Sequence, residues 1–327
     1  MPTLRILSAD DVRAALPMRD AVDAMRDAFG QLSAGTAEVP MRTSVTVPGR
    51  DGVTLVMPGR CDVPYGLGGK LVSVFPRNAA AGLPVVNAVV VLLDPETGRV
   101  AALLEGGALT AIRTGAASGL ATELLARSDA CRVAIIGAGV QARTQLEAVS
   151  CVRQIDSVAV YALAGAEQFA QEMAGRGRVP EAIRVAGSAR DAARDADIIC
   201  TATSSAEPVL RVDDVASGAH VNAIGAFTPE MREIDPALVG VARVIVDQRE
   251  ASLAEAGELI AAVRQGLLAE GDVIELGEVV NGDAAGREAD EQITLFKSVG
   301  VAVQDLYAGA RAVEQASQRG LGAVIDL

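Results

Sequence analysis

Residues 132–142, RVAIIGAGVQA, constrain this chain more than any other stretch. A five-residue apolar strand pattern runs into Gly137-Ala138-Gly139-Val140-Gln141-Ala142, and a helical pattern follows from about Gln141. The motif reads G-x-G-x-x-G/A in the strand–turn–helix setting that it requires. Gly137 permits the tight turn, Gly139 lets backbone approach a pyrophosphate, and Ala142 allows a helix to pack closely on a sheet. The helix start contributes N–H groups and the positive end of a dipole, both suited to phosphate. A glycine pattern alone is a weak signal, because any structural turn can match it. Its setting here makes it a dinucleotide-binding expectation.

The segments downstream repeat the alternation. SVAVY (157–161) precedes AGAEQFAQEMA, IRVAG precedes SARDAARDA, and DIICTAT (197–203), AHVNAIG (219–225) and ARVIVD (242–247) follow. This is the grammar of an α/β, doubly wound parallel sheet. Thr201 and Thr203 close one of these strands, where loops border a ligand crevice, and small hydroxyl side chains there suit a nicotinamide ribose. The acid that would hold the adenosine ribose is missing: Ala162-Leu163-Ala164 follows SVAVY, and Asp156 stands at the wrong end of the strand. No Arg directly follows the strand, and Arg143 and Arg176 are distant. NADPH or NADH therefore both remain open as cofactor, with the lack of a repelling carboxylate favouring NADPH.

The first third differs. Ser8 and Asp11 form a capping-box pattern, and Val22, Met25, Phe29 and Leu32 recur at helical spacing. TSVTV (43–47), VTLVM (53–57), KLVSVF (70–75), VVNAVVVLL (85–93) and VAALLE (100–105) read as strands of a mostly antiparallel sheet, joined by the turn-rich links PGRDG, PGRCDVPYG, PRNAAAG and DPETG. Residues 107–127 return to helix, with Leu109, Ile112, Ala116, Leu120 and Leu124 on one stripe and small residues that suit close packing. Residues 291–316 read as one long helix that crosses back to the first domain. The expected division is 1–120 with 300–327 for one mixed α/β domain, and 121–299 for the dinucleotide domain.

Composition narrows the function classes. A formal net charge of −13 argues against nucleic acid as a partner. No apolar run reaches the roughly 18 residues that span a bilayer, so no membrane association is expected. MPTLRILSADD meets charge too early for a signal peptide, and a cytoplasmic setting is expected. Cys61, Cys131, Cys151 and Cys200 lack metal-ligand spacing and read as free thiols. No metal is expected. The one histidine, His220, sits at the amino end of its strand without an acidic partner and reads as structural. Glu255, Glu258 and Glu275 read as solvated.

Three cations stand in or beside apolar segments: Arg42, Lys70 and Arg113. Each alone is more often a solvated surface residue. Together they suit a small anionic substrate, because a guanidinium matches a carboxylate with paired hydrogen bonds and a lysine can donate a proton.

With GGKLVSVFP (68–76), LTAIRTGAAS (109–118), IIGAGVQA (135–142), VNAIGAFTPEMREID (221–235) and TLFKSVGVAVQDL (294–306), the chain resembles the ornithine cyclodeaminase/mu-crystallin family over nearly its whole length. The resemblance implies a Rossmann domain plus a discontinuous mixed α/β domain that binds substrate and dimerises through its sheet. It implies Lys70 as the catalytic lysine and Arg42 and Arg113 as carboxylate ligands. It also implies Gly137 to Ala142, Thr201, Thr203 and Ser298 as dinucleotide contacts. Cyclodeaminases carry an Asp in a Gly-Gly-Asp run, and here Gly225-Ala226-Phe227 replaces it. Without that acid, simple imine reduction is favoured over deaminating cyclisation, with Phe227 as an apolar wall. The expected activity is reduction of cyclic ketimine carboxylates to L-proline or L-pipecolate in a homodimer. Alanine or opine-type dehydrogenase, ornithine cyclodeaminase, and a crystallin-like NADPH-binding protein without turnover are the alternatives.

Overall fold

The computed structural model describes residues 3–62 and 66–326. Residues 63–65 of the PGRCDVPYG link lie outside the described residues. Contacts divide the chain into two compact units: residues up to Arg113 together with those from Val301 onward, and Thr114–Gly300.

The first unit begins with β1 (Thr3–Leu7), α1 (Ala9–Ala15) and α2 (Met18–Ser33). Ser8 caps α1: its hydroxyl accepts from the Asp11 backbone N–H, and the Asp11 carboxylate accepts from the Ser8 backbone. Then come β2 (Ala37–Glu38), β3 (Thr43–Val47), β4 (Gly52–Cys61), β5 (Gly66–Val74), β6 (Val86–Leu93), β7 (Val100–Glu105) and α3 (Gly106–Leu125). The expected strands are all present, but β4 runs on through PGRC, which turn chemistry marks as a link.

The second unit takes α3 from Thr114 onward. It then alternates β8 (Arg132–Ile136), α4 (Val140–Val152), β9 (Ser157–Tyr161), α5 (Ala166–Met173), β10 (Ile183–Val185), α6 (Ala189–Ala193), β11 (Ile198–Thr201) and β12 (His220–Ala223). It closes with α7 (Pro236–Val241), β13 (Arg243–Val246), α8 (Arg249–Glu255), α9 (Gly257–Arg264), β14 (Ile274–Glu275), α10 (Leu276–Asn281) and β15 (Thr294–Lys297). The chain then returns to the first unit with α11 (Ala302–Arg319) and β16 (Ala323–Asp326).

The first sheet has the order β16-β1-β7-β6-β5-β4-β2, with β3 also on β4. Its pairs are antiparallel except β1 with β7. The second sheet, β10-β9-β8-β11-β12-β15-β13-β14, is parallel throughout. Its central strands are near-continuous apolar runs because both faces are covered. Val133, Ile135, Val158, Val160, Phe169 and Ile198 form its buried core on one side, each large side chain contributing about 1.5–3 kcal/mol by leaving water.

Two expectations need correcting. Residues 291–316 are not one helix: TLFK is β15, inserted between β12 and β13, and the helix starts only at Ala302. Leu295 and Phe296 are wholly buried, as a doubly covered parallel strand demands, and short apolar runs of this kind do not distinguish strand from buried helix. The single stripe on α3 is also too narrow. Ala111, Ala117, Ser118, Ala121 and Thr122 are buried as well, so the helix is enclosed nearly all round. Gly115 explains its small residues: a Cβ there would stand 2.5 Å from the Thr144 carbonyl oxygen on α4.

Candidate active site

In the first unit, side chains alternate across β5. Lys70 pairs with Met57 on β4 and Val90 on β6, and all three point to the face that α11 covers. Gly69, one residue earlier, exists for close strand approach: a Cβ there would stand 2.7 Å from the Met57 carbonyl oxygen. Lys70 is therefore held in the interior, 3% exposed, by the register of its strand.

An ammonium so placed needs partners. Its Nζ lies 2.8 Å from Oδ2 of Asp305, in the first turn of α11, and 3.5 Å from Oγ1 of Thr110 on α3. Arg113, also on α3 and buried, donates from Nε to Asp305 Oδ1 at 3.2 Å and from Nη1 to Gln304 Oε1 at 2.9 Å. Two buried cations thus share one buried carboxylate, and a unit of positive charge is left over. Arg42, half-buried just before β3, adds to the field on Lys70. Burial, then Arg113, then Arg42 weaken proton binding at Lys70; Asp305 opposes them, and the ammonium is pulled down to about 8. The structure brings Lys70 and Arg113, both singled out in the sequence, together with Asp305 and Gln304, which were not, and Arg42 acts on the same lysine. The available signal was an acid set among apolar residues in VAVQDLY.

In the second unit, Gly137 has φ +116°, and a Cβ there would stand 2.5 Å from the Ala202 carbonyl oxygen. Its N–H donates to the Tyr161 carbonyl at 2.8 Å, so the turn is stitched between β9 and β11. Gly139 is different: it precedes α4 with φ −80° and no side-chain cap, and a Cβ there would meet nothing within 4 Å. The start of this 13-residue helix is open to an anion, while Ala142 is buried beneath it. Ala138 and Gln141 are half-buried and Val140 is exposed. These residues fit a dinucleotide pyrophosphate, the Gly139 position leaving the close approach that such a group needs.

Glu233, wholly buried, gathers the loops after β11 and β12. Its Oε1 accepts from Thr203 N at 2.6 Å and Thr203 Oγ1 at 2.8 Å; its Oε2 accepts from Thr201 Oγ1 at 2.9 Å, Gly225 N at 2.6 Å and Ala226 N at 3.3 Å. Burial raises its proton affinity, against the charge of Lys297 and these hydrogen bonds. Lys297, also wholly buried, donates to the Ala226 carbonyl at 2.5 Å and lies 2.9 Å from Glu258 Oε1. Glu258 is therefore not solvated, as its helical context suggested, but a buried ion-pair partner. Glu233 and Lys297 were not legible as site residues. One signal existed: Lys70 and Lys297 are the only lysines in the chain, each inside an apolar segment. Ser298 donates to Asp247 Oδ2 at 2.8 Å, and Gly300 N to the same oxygen at 2.7 Å. Phe227 is half-buried next to the pinned Ala226.

His220 is structural as expected. Its ring lies 3.0 Å from Thr294 Oγ1 and 3.2 Å from Asn222 Oδ1, and burial pushes it down to about 3. The four cysteines are free. Among the described residues, no group of three His, Cys, Asp or Glu side chains could hold a metal ion, and no helix is long and apolar enough to cross a membrane.

The model of the ornithine cyclodeaminase/mu-crystallin family matches residues 3–320. The chain belongs to this family. It is 38% identical over 323 residues to a Δ1-pyrroline-2-carboxylate reductase of Bacillus cereus, covering 98% of this chain and 99% of the relative. The solved structure of Thermococcus litoralis Δ1-pyrroline-2-carboxylate reductase in complex with NADH and L-proline superposes with a TM-score of 0.94 at 40% identity, covering 98% of this chain and 99% of that one. An archaeal alanine dehydrogenase, solved as a dimer with bound NAD, superposes with a TM-score of 0.92 at 34% identity, with 99% of each chain covered.

Proposed function

We propose that the protein is an NAD(P)H-dependent reductase of cyclic ketimine carboxylates, turning Δ1-pyrroline-2-carboxylate into L-proline and Δ1-piperideine-2-carboxylate into L-pipecolate. The observation that carries this reading is the surplus buried positive charge at Lys70, Arg113 and Asp305, in a chain whose similar proteins include reductases of such an imine. A small carboxylate neutralises that surplus, and Arg113 and Arg42 are its ligands. Lys70, protonated near neutral pH, polarises the imine and donates a proton. Phe227 offers the ring methylenes an apolar wall. Gly137, Ala138, Gly139, Val140, Gln141 and Ala142, with Thr201, Thr203 and Ser298, hold NADH or NADPH, which when bound supplies the hydride. The unit carrying Lys70 is the substrate unit, and Thr114–Gly300 is the dinucleotide unit.

The reading includes a homodimer. Val45, Val56 and Leu71, 58%, 44% and 47% exposed, stand on the face of β3, β4 and β5 opposite Lys70, and an apolar sheet face of this kind suits a second copy. Free thiols suit a reducing cytoplasm. The test follows NAD(P)H oxidation with the two imines, with pyruvate plus ammonia, and with ornithine. Imine-dependent oxidation supports the reductase. Turnover of pyruvate plus ammonia alone replaces it with alanine dehydrogenase, ammonia release from ornithine without net NADH replaces it with a cyclodeaminase, and cofactor binding with no turnover leaves a binding protein.

A further inference from the structure

Lys70 comes from β5, Arg113 from α3 and Asp305 from α11, three elements brought together only by the fold. Asp305 is wholly buried and uses one oxygen for each cation, Oδ2 for Lys70 and Oδ1 for Arg113. It lies in the first turn of an 18-residue helix, at the positive end of the macrodipole. Gln304, its neighbour, accepts from Arg113 Nη1 and from the Val301 N–H, both at 2.9 Å, which fixes the helix start against the guanidinium.

We propose that Asp305 is a positioning residue: its carboxylate bridges Lys70 and Arg113, aims both cations and keeps the Lys70 amine protonated. It does not itself exchange a proton with substrate. The groups around Lys70 support this division. From β4 and β6 it meets Met57 and Val90, which carry no charge. From α3 it meets Thr110 and Arg113, and Arg42 acts from the segment before β3. Asp305 is the negative group among them, so the proton on Lys70 depends on it. Burial and two guanidinium groups all press for the neutral amine.

This inference rests on the reductase reading for its kinetic consequence but can be tested apart from it. Lys70 and Lys297 are the only lysines, so lysine labelled with carbon-13 at Cε gives two side-chain NMR signals that a Lys297→Arg variant assigns. In Asp305→Asn the Lys70 titration midpoint falls by about one unit or more, and the Lys297 signal stays in place. Where imine reduction is measurable, the alkaline limb of kcat/KM moves down with that midpoint. Asp305→Glu keeps the charge, so its Lys70 titration stays close to wild type while kcat falls about tenfold from misplacement of the ammonium. A Lys70 midpoint unmoved in folded Asp305→Asn overturns the proposal. If Asp305→Asn does not fold, Asp305→Glu with a midpoint shifted as far as removal of the charge would shift it, or with unchanged kcat, overturns it. If the wild type reduces neither imine, the reductase reading fails while the NMR titration still decides the role of Asp305.

Discussion

The Lys297 ammonium lies 2.9 Å from Glu258 Oε1, and both side chains are wholly buried. Glu233 also feels these charges, so this cluster sets two buried carboxylates against one buried cation, the inverse of the balance around Lys70. Removing the cation leaves buried negative charge with no counter-charge. Lys297→Met should cost about 3–5 kcal/mol of unfolding free energy in denaturant titration. The double variant Lys297→Met, Glu258→Leu should regain much of it, since the stranded partner is gone.

Glu233→Gln places an amide NH2 against backbone N–H groups that now meet a carboxylate oxygen. Gly225 and Ala226 lose their acceptor, or Thr203 does, depending on the amide orientation. The stability loss should be about 1–3 kcal/mol for the unsatisfied donors. NADH affinity, read by fluorescence titration, should weaken because the loops after β11 and β12 are no longer held.

The two motif glycines should separate folding from binding. Gly137→Ala forces a side chain into positive φ and against the Ala202 carbonyl, and should destabilise by about 1–3 kcal/mol in thermal or denaturant unfolding. Gly139→Ala meets nothing and keeps φ −80°, so its Tm should match wild type. Its NADH Kd should rise about tenfold, because the methyl group occupies the pyrophosphate's approach.

Lys70→Met should lower imine reduction by about 10²–10⁴-fold and leave NADH binding intact. It should not lower stability at neutral pH. The variant removes a desolvated cation and leaves Arg113 and Asp305 as a balanced pair, so its unfolding free energy should equal or exceed that of wild type. A large loss of stability would show that Lys70 is a structural ion-pair residue.

The pH dependence of rate and of stability should run in opposite directions. Lys70 binds its proton more weakly in the folded protein, at about 8, than at its ordinary 10.5. Between those values the unfolded chain binds more protons, so the Lys70 contribution to stability rises with pH across that window. The proton-donating form is lost over the same range, so kcat/KM should fall above about pH 8. Paired pH profiles of initial rate and of denaturant midpoint check both slopes.

Local patterns carried much of this fold. The G-x-G-x-x-A turn, the strands from 43 to 105 and the parallel alternation after 131 are written in residue period and turn chemistry, which act over a few positions. The strand at Thr294–Lys297 is misread because a doubly covered strand and a buried helix share one apolar composition. The candidate site was half legible. Lys70, Arg42 and Arg113 announce themselves as charges in apolar company. Asp305, Glu233 and Glu258 look like ordinary acids of helices and loops until the fold buries them beside distant partners, and no local pattern records that pairing.

Both lysine amines lie inside the protein, and arginine supplies every other strongly basic side chain. Reagents that acylate lysine therefore find no lysine amine on the surface of the folded chain. The rate at which they modify Lys297 becomes a clock for opening of the core of the second unit, while modification of Lys70 reads access to the candidate site.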